Sequence, residues 1–280
     1  MKLKVLDALT APGASVNEDR WGFNPDAVWI MDGATGVWPE QRLSEPSDAA
    51  WFVEQCDQIL SDTYFGERFP AEILRDVVEE VGRRARRLRE FEHLPPQELP
   101  SASFAAARAT EGGLQLVNLG DCPTLWRSGP GPAKRFGDSG VAALDERLVQ
   151  ALKAERAQGK SFPEAKAAVR ELMRRQRALM NTPEGYWILD LFGHGTPHAQ
   201  VETIEAEPGA LILLMTDGFF RLTDVYARHD ADQLLNAAAT GGLQALYAEL
   251  REIEEADEEC AAYTRFKPRD DATAVLLQVG

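Results

Sequence analysis

Cysteine is scarce in this chain: Cys56, Cys122 and Cys260 are the only three, far apart and odd in number. That pattern supports neither a disulfide framework nor a paired-thiolate metal site, and it points to a reducing compartment. Long apolar runs are missing too. Asp7 and Pro12 interrupt what would have to be a signal-peptide core after Lys2 and Lys4, and the run from Ala210 to Met215 is far too short to cross a bilayer. The expectation is a soluble, cytoplasmic protein. Positive charge is also in deficit, with 30 Lys and Arg against 45 Asp and Glu and a net charge of −15. This balance argues against nucleic acid or an anionic membrane as the main partner. There is no internal repeat, no low-complexity linker and no G-x-x-x-x-G-K-[ST] loop, so a P-loop nucleotide site is not supported. A chain of 280 residues can bury a substantial core, and one domain over residues 1–280 is the expectation.

What the chain does have is acids at the ends of apolar runs. Val28-Trp29-Ile30-Met31 leads into Asp32-Gly33-Ala34-Thr35-Gly36, and Leu211-Ile212-Leu213-Leu214-Met215 leads into Thr216-Asp217-Gly218. A β-branched and aromatic run bounded by glycine reads as a strand, and an acid at its end has its backbone held by the sheet while its carboxylate faces open space. Asp121 follows the strand that ends in Asn118-Leu119-Gly120, and Asp270-Asp271 opens a final strand to Val279. Each Asp-Gly alone is an ordinary turn dipeptide. Their joint placement suggests one shared site.

The remaining pattern frames these acids. Lys2 to Thr10 reads as a first strand; Ser47 caps a helix to about Ser61; Pro70 opens a helix to about Phe91. Its basic run Arg83–Arg89 reads either as a solvated face suited to the helix C-terminus or as a docking surface for an acidic partner. Ser101 to Ala109 and Leu114 to Asn118 form a hairpin through Glu111-Gly112-Gly113, and Thr124 to Arg127 is a further strand. A helical insertion follows, Glu146 to Gln158 and then Ser161 to about Met180, the second opened by the capping box of Ser161 and Glu164. Strands are expected over Tyr186 to Leu191 and Gln200 to Ala206, then helices over Asp230 to Ala239 and Leu243 to Glu258. Strands with helices on the outside make a mixed α+β domain.

Carboxylates are hard oxygen ligands, suited to Mg²⁺ or Mn²⁺ rather than zinc. Acids gathered in a small volume repel one another unless a cation neutralises them, so such a cluster implies bound metal. Two ions can clamp a phosphoryl oxygen and lower the pKa of a bridging water, which is phosphoester hydrolysis without a covalent intermediate. Other phosphatase chemistries fit poorly. A cysteine nucleophile needs C-x5-R, and Cys122 to Arg127 and Cys260 to Arg265 each fall one residue short. An aspartyl nucleophile of the haloacid-dehalogenase kind needs an acid where Ile30 stands.

Asn17-Glu18-Asp19, Asp32-Gly33-Ala34-Thr35-Gly36, Asn118-Leu119-Gly120-Asp121, Thr216-Asp217-Gly218 and Asp270-Asp271-Ala272-Thr273 occur in an order and spacing that resembles the metal-dependent protein serine/threonine phosphatases of type 2C. The resemblance runs from about residue 5 to residue 279. It implies a four-layer αββα sandwich, two antiparallel β-sheets flanked by helix pairs, with a dinuclear Mn²⁺ or Mg²⁺ centre at one end. It implies that Asp32 bridges both ions, that the Gly33 carbonyl binds one, that Asp217 and Asp270 hold the other, and that Glu18 and Asp19 act through metal-bound water. Asp121 matches an acid that, with the position of Asp217, binds a third ion in some members; Asp271 is a neighbour of unassigned role. The implied reaction is hydrolysis of phosphoserine and phosphothreonine in a phosphorylated protein.

The chain also departs from that pattern. The family's phosphate-binding arginine position holds Ala14, which removes a bidentate clamp that no other cation replaces equivalently. Ala34 stands where many members carry a histidine, so that general acid is absent as well. Candidate substitutes are Arg20 for phosphate and His194 or His198 for proton transfer, each with an ordinary structural role as the alternative. The helical flap at about residues 145–181, followed by Tyr186-Trp187, would shape substrate choice, while the aromatic pair reads equally as buried core. Two further readings stay open: a pseudophosphatase that binds metal or a phosphoprotein without turnover, and a phosphatase of small phosphorylated molecules.

Overall fold

The computed structural model describes residues 2–35, 37, 43–91, 93–111, 113–137 and 140–280; Gly36 of the first Asp-Gly motif and Gly112 of the hairpin turn lie outside them. Among the described residues, eleven strands form two antiparallel sheets. One holds β1 (Leu3–Ala11), β11 (Ala272–Val279), β10 (Leu211–Met215), β6 (Thr124–Arg127) and β7 (Lys134–Phe136), in that spatial order. The other holds β2 (Asp19–Phe23), β3 (Ala27–Ala34), β4 (Ser101–Thr110), β5 (Gly113–Leu119) and β9 (Gln200–Ile204), with the two-residue β8 (Leu189–Asp190) on the end of β4.

Alternation along the strands sorts their side chains into three apolar layers. Val28, Ile30, Ala105, Ala107, Leu114, Leu116, Ile212, Leu214, Val275 and Leu277 meet between the sheets. Trp29, Met31, Phe104 and Val117 point the other way, into α1 (Asp48–Ser61) and α2 (Pro70–Leu88). Leu213, Met215, Ala274 and Leu276 point outward from their sheet into α6 (Asp217–Asp224), α7 (Ala231–Gly241) and α8 (Leu243–Ala256). Both faces of the central strands are therefore dry, and this is why Ala27–Met31 reads as a continuous apolar run rather than an alternating one. The four-layer sandwich expected from the motifs is what the chain forms. β4 is rich in alanine, a poor strand former. Paired on both edges and buried on both faces, it gains from small side chains that let its neighbours close in.

Several boundaries follow the sequence signals closely. Ser47 caps α1, its Oγ accepting from the Ala50 amide at 3.2 Å. The capping box of Ser161 and Glu164 forms, with the Ser161 amide donating to Glu164 at 2.8 Å. On α2, Glu80 pairs with both Arg83 and Arg84, and Arg84 also donates to Gln55 at 2.8 Å, so part of the basic run is neutralised on its own surface. Other elements differ. The insertion begins earlier, at α3 (Val141–Ala157), and its second part divides at Val169 into α4 (Phe162–Ala168) and α5 (Arg170–Arg177). The expected strand over Tyr186 to Leu191 shrinks to β8 plus a bridge between Met180 and Tyr186. β7 was not foreseen, nor was α6. In α6 the Asp-Gly after β10 opens a helix instead of a turn, with Thr216 at its N-cap and Asp217 in its first turn, where an acid suits the helix dipole.

That handover needs Gly218. A Cβ there would lie 1.9 Å from the Asp271 carbonyl oxygen, a backbone contact that cannot move aside. Gly218→Ala is expected to cost about 1–3 kcal/mol through overpacking, seen as a lower urea midpoint. Gly241→Ala, at a helical site with nothing within 4 Å of the new Cβ, is expected to hold or raise that midpoint by up to ~1 kcal/mol of helix propensity.

Candidate active site

The acids meet at one end of the sandwich because the sheet register puts them there. Asp32 is the next inward residue after Val28 and Ile30, and it sits directly opposite Asp19 on β2 and opposite Ser103 on β4. The Ser103 hydroxyl donates to Asp121, just beyond β5. Asp217 opens α6 across the sandwich, near enough for its charge to act on Asp32. Asp32, Ser103, Asp121 and Asp217 line a pocket of about 500 Å³, together with Glu18, Lys267 and Asp270.

Each acid is held differently. Glu18 accepts from the hydroxyls of Thr35, at 2.5 Å, and Ser47, so the residue that caps α1 also fixes a side chain of the site. Asp19 is buried and accepts from Thr216 Oγ1 at 2.8 Å. Gly33 is where β3 passes closest to the chain before β2: its amide donates to the Glu18 carbonyl at 3.0 Å, and a Cβ would lie 2.5 Å from that oxygen. Asp271 faces away from the other acids' work. Its two oxygens accept from the amides of Gly13 and Glu18, each at 2.7 Å, so it pins the loop that delivers Glu18 and Asp19.

Asp270 stands apart. Its Oδ2 accepts from Arg221 at 2.5 Å and its Oδ1 from Lys267 at 2.6 Å, while its carbonyl accepts from Arg251 at 2.7 Å. Behind Arg221, the buried Glu254 pairs with Arg221 at 3.4 Å and with Arg251. The residue expected to hold a second ion thus already has a cation on each oxygen.

Electrostatics divides the site the same way. Burial pushes the Asp32 carboxyl well above the ordinary carboxylate range, and Asp217, Asp19 and Asp121 push it further. Burial and Asp217 raise Asp121 to about 6, against the hydrogen bond from Ser103. Asp145 on α3 is raised to about 7 by burial and then by Asp121 and Asp217. Burial also favours the neutral form of Asp270, but Arg221 and Lys267 outweigh it and its pKa is lowered.

The donor set around Asp32 suits a hard divalent ion, since its members are oxygens whose mutual repulsion a cation would relieve. Among the described residues, no three acids already converge on a single coordination point. The fit therefore rests on the donors' chemistry and on their repulsion at the Asp32, Asp121 and Asp217 end. It does not extend to Asp270.

Other sequence candidates lie elsewhere. Arg20 donates to Asp57 at 3.0 Å and does not line the pocket. His194 pairs with the buried Asp190 at 2.9 Å, and His198 stacks on Trp187 with ring centroids 3.4 Å apart, beside a separate small recess. The aromatic pair after the flap splits its roles: Tyr186 lines the pocket, whereas Trp187 packs on His198 and the apolar layer facing α1 and α2. Sequence reasoning missed Lys267, Arg221, Asp145 and Arg177. Arg177 lines the pocket from α5 and donates to the carbonyls of Ala34 and Leu99, each at 3.3 Å, tying the inserted helices to the end of β3. Nothing local marks these residues; only the closure of the fold brings them to the acids.

The sequence profile described as Protein phosphatase 2C matches residues 13–253. No curated protein matches the chain by sequence. Among solved structures, the chain is similar to the Mycobacterium tuberculosis serine/threonine phosphatase PstP/Ppp, at 16% identity over 100% of this chain and 99% of that one, TM-score 0.58. The catalytic domain of PstP in complex with two manganese ions superposes at 17% identity over 99% and 98%, TM-score 0.55. The photosystem II phosphatase PBCP does so at 14% identity over 99% of each chain, TM-score 0.59. At these identities the likeness concerns the fold.

A pH effect follows from the raised carboxyls. Between the ordinary value of 3.8 and the folded values of about 6 for Asp121 and about 7 for Asp145, the folded chain holds protons that the unfolded chain has released. These groups therefore add stability below about pH 4 and withdraw it progressively as pH rises through 6 to 7. Without divalent metal, the melting midpoint is expected to be higher at pH 5.5 than at pH 7.5, and Mn²⁺ at pH 7.5 is expected to narrow the gap; differential scanning calorimetry measures both.

Proposed function

The chain belongs to the protein phosphatase 2C family, and on that premise we propose that it hydrolyses phosphoserine and phosphothreonine esters in a phosphorylated protein, with a divalent ion as cofactor. The observation that carries this reading is the convergence of Asp32, Asp121 and Asp217 on one pocket, where the charge of Asp217 raises the proton affinity of both Asp32 and Asp121. Asp32, Asp217 and the Gly33 carbonyl would hold the ion, with Asp121 beside them. An ion bound there supplies positive charge for phosphoryl oxygens and lowers the pKa of attacking water.

The protein's own groups do the rest. Thr216 fixes the buried Asp19, while Thr35 and Ser47 orient Glu18, an acceptor of fixed direction in the lining of the pocket. Leu144, Leu148 and Met173 from the inserted helices make one wall apolar and exclude water beside a polar floor. Residues 1–280 would work as one catalytic domain in which α3, α4 and α5 form a flap over the acids. Leu152, Phe162, Ala165 and Val169 give these helices a small core of their own, shared with Cys260. Among the described residues no helix is long and apolar enough to cross a membrane, and a cytoplasmic phosphoprotein suits a chain of this charge and cysteine content.

The test is hydrolysis of p-nitrophenyl phosphate and a phosphothreonine peptide with Mn²⁺, with Mg²⁺ and with excess chelator. Metal-dependent turnover is expected, falling by more than about 100-fold, the upper end of what even outer-shell changes cost, in Asp32→Ala and in Asp217→Ala with the fold retained. Full activity in either variant would sink the assignment. A folded, Mn²⁺-binding protein with no turnover on either substrate would favour binding without catalysis.

A further inference from the structure

Two observations at Asp270 do not fit a site built for two divalent ions. First, both of its carboxylate oxygens are taken, Oδ1 by the Lys267 ammonium at 2.6 Å and Oδ2 by the Arg221 guanidinium at 2.5 Å. Second, the arrangement is braced from behind rather than improvised. Arg221 is itself buried and paired with the fully buried Glu254, which also takes Arg251, and Arg251 donates to the Asp270 carbonyl. A buried ion-pair network of this kind is costly to open, because removing one member strands the others without a partner. A divalent ion arriving at Asp270 would have to take Oδ1 from the Lys267 ammonium, because Oδ2 is held by a guanidinium braced from two sides.

We propose that Lys267, backed by Arg221, is a resident cation that stands at Asp270 in place of a second divalent ion, so that the pocket pairs one metal at Asp32 and Asp217 with a fixed ammonium group. The inference rests on the metal-dependent reading above and specifies its stoichiometry. Lys267 can reach both partners. Its side chain is 54% exposed and lines the same pocket as Asp32 and Asp217, so the Asp270 partner also borders the cavity where a phosphate would lie. The charge of Asp270, followed by those of Asp32 and Asp217, holds Lys267 protonated against the burial that opposes it. The ammonium therefore offers what a second ion would offer at that place: positive charge toward phosphoryl oxygens and a counter-charge for the nearby carboxylates. Three N–H donors on a flexible stem allow it to keep Asp270 and still turn one donor to a ligand. It cannot polarise water as a divalent ion does, so that work falls to the single metal.

Equilibrium dialysis and titration calorimetry with Mn²⁺ decide the matter on the full chain. The wild-type protein is expected to bind one Mn²⁺ per chain above the affinity of a simple surface site. Lys267→Met, which frees Oδ1 without leaving a polar remnant, is expected to bind two, and Lys267→Arg to stay at one. Asp32→Ala is expected to lose the wild-type ion. Two ions bound to the wild-type protein would overturn the proposal while leaving metal-dependent hydrolysis intact. So would a single ion in Lys267→Met, because the ammonium would then not be what excludes the second. No Mn²⁺ bound by wild type or Lys267→Met would overturn this proposal and the metal-dependent reading together.

Discussion

Repulsion among carboxylates is the constraint on which this end of the molecule depends. Asp19, Asp32, Asp121 and Asp217 come from β2, β3, the turn after β5 and the start of α6. No local feature would gather four acids; the cost is carried by sheets whose apolar layers are complete on both faces. The register does the positioning. Because Asp19 faces Asp32 and Asp32 faces Ser103 across continuous ladders, moving Asp19 or Asp32 by a residue would turn its strand's whole inward set outward. The acids are held where they repel because slipping away would cost the core. Hydroxyls from Thr216 and Ser103 offset part of the repulsion at Asp19 and Asp121, and a hard cation would offset more.

Neighbouring acids in the sequence have opposite assignments in the structure. Asp271 spends both oxygens on the amides of Gly13 and Glu18, and so turns an otherwise unpaired loop backbone into a rigid approach to β2. Asp270 spends both on cations. The first is a positioning residue acting through the backbone, the second a charge-bearing wall of the pocket. The pair makes the end of β11 serve the loop before β2 on one side and α6 on the other. This explains why Gly218 packs against the Asp271 carbonyl: three segments from distant parts of the chain share one small volume there.

Much of this was readable in the letters. The strands, the caps at Ser47 and Ser161, and the sandwich implied by the ordered acids follow from local chemistry, since an apolar run closed by Asp-Gly says where a strand ends. Local chemistry also misled at Thr216-Asp217-Gly218. Turn and helix-start signals share the same residues there, and only packing against β11 selects the helix. The pocket's cations were illegible for a different reason. Lys267 and Arg221 lie in stretches with no motif, and their meaning depends on reaching Asp270 from two directions. His194, His198 and Arg20 looked chemically apt and are engaged elsewhere, by Asp190, Trp187 and Asp57. A titratable residue type suggests a role, but its partner in space determines it.

The distribution of positive charge around the pocket bears on the empty arginine position. With alanine at residue 14, the loop before β2 offers no guanidinium, and its neighbour Gly13 is closed in by the Asp270 backbone, 2.3 Å from where a Cβ would lie. Cations instead enter from the opposite approaches: Lys267 from the segment before β11, and Arg177 from α5. Arg177 is nearly buried and committed to backbone carbonyls, so it fixes the inserted helices more than it is free to grip a ligand. Lys267 is half-exposed and, among the described residues, is tethered at Asp270. A phosphate anchored there would lie on the α6 and β11 side of the acids, toward α3 with Leu144 and Asp145, rather than over the loop at Ala14. Selectivity would then depend on the inserted helices, because they, and not that loop, form the wall that such an anchored substrate would meet.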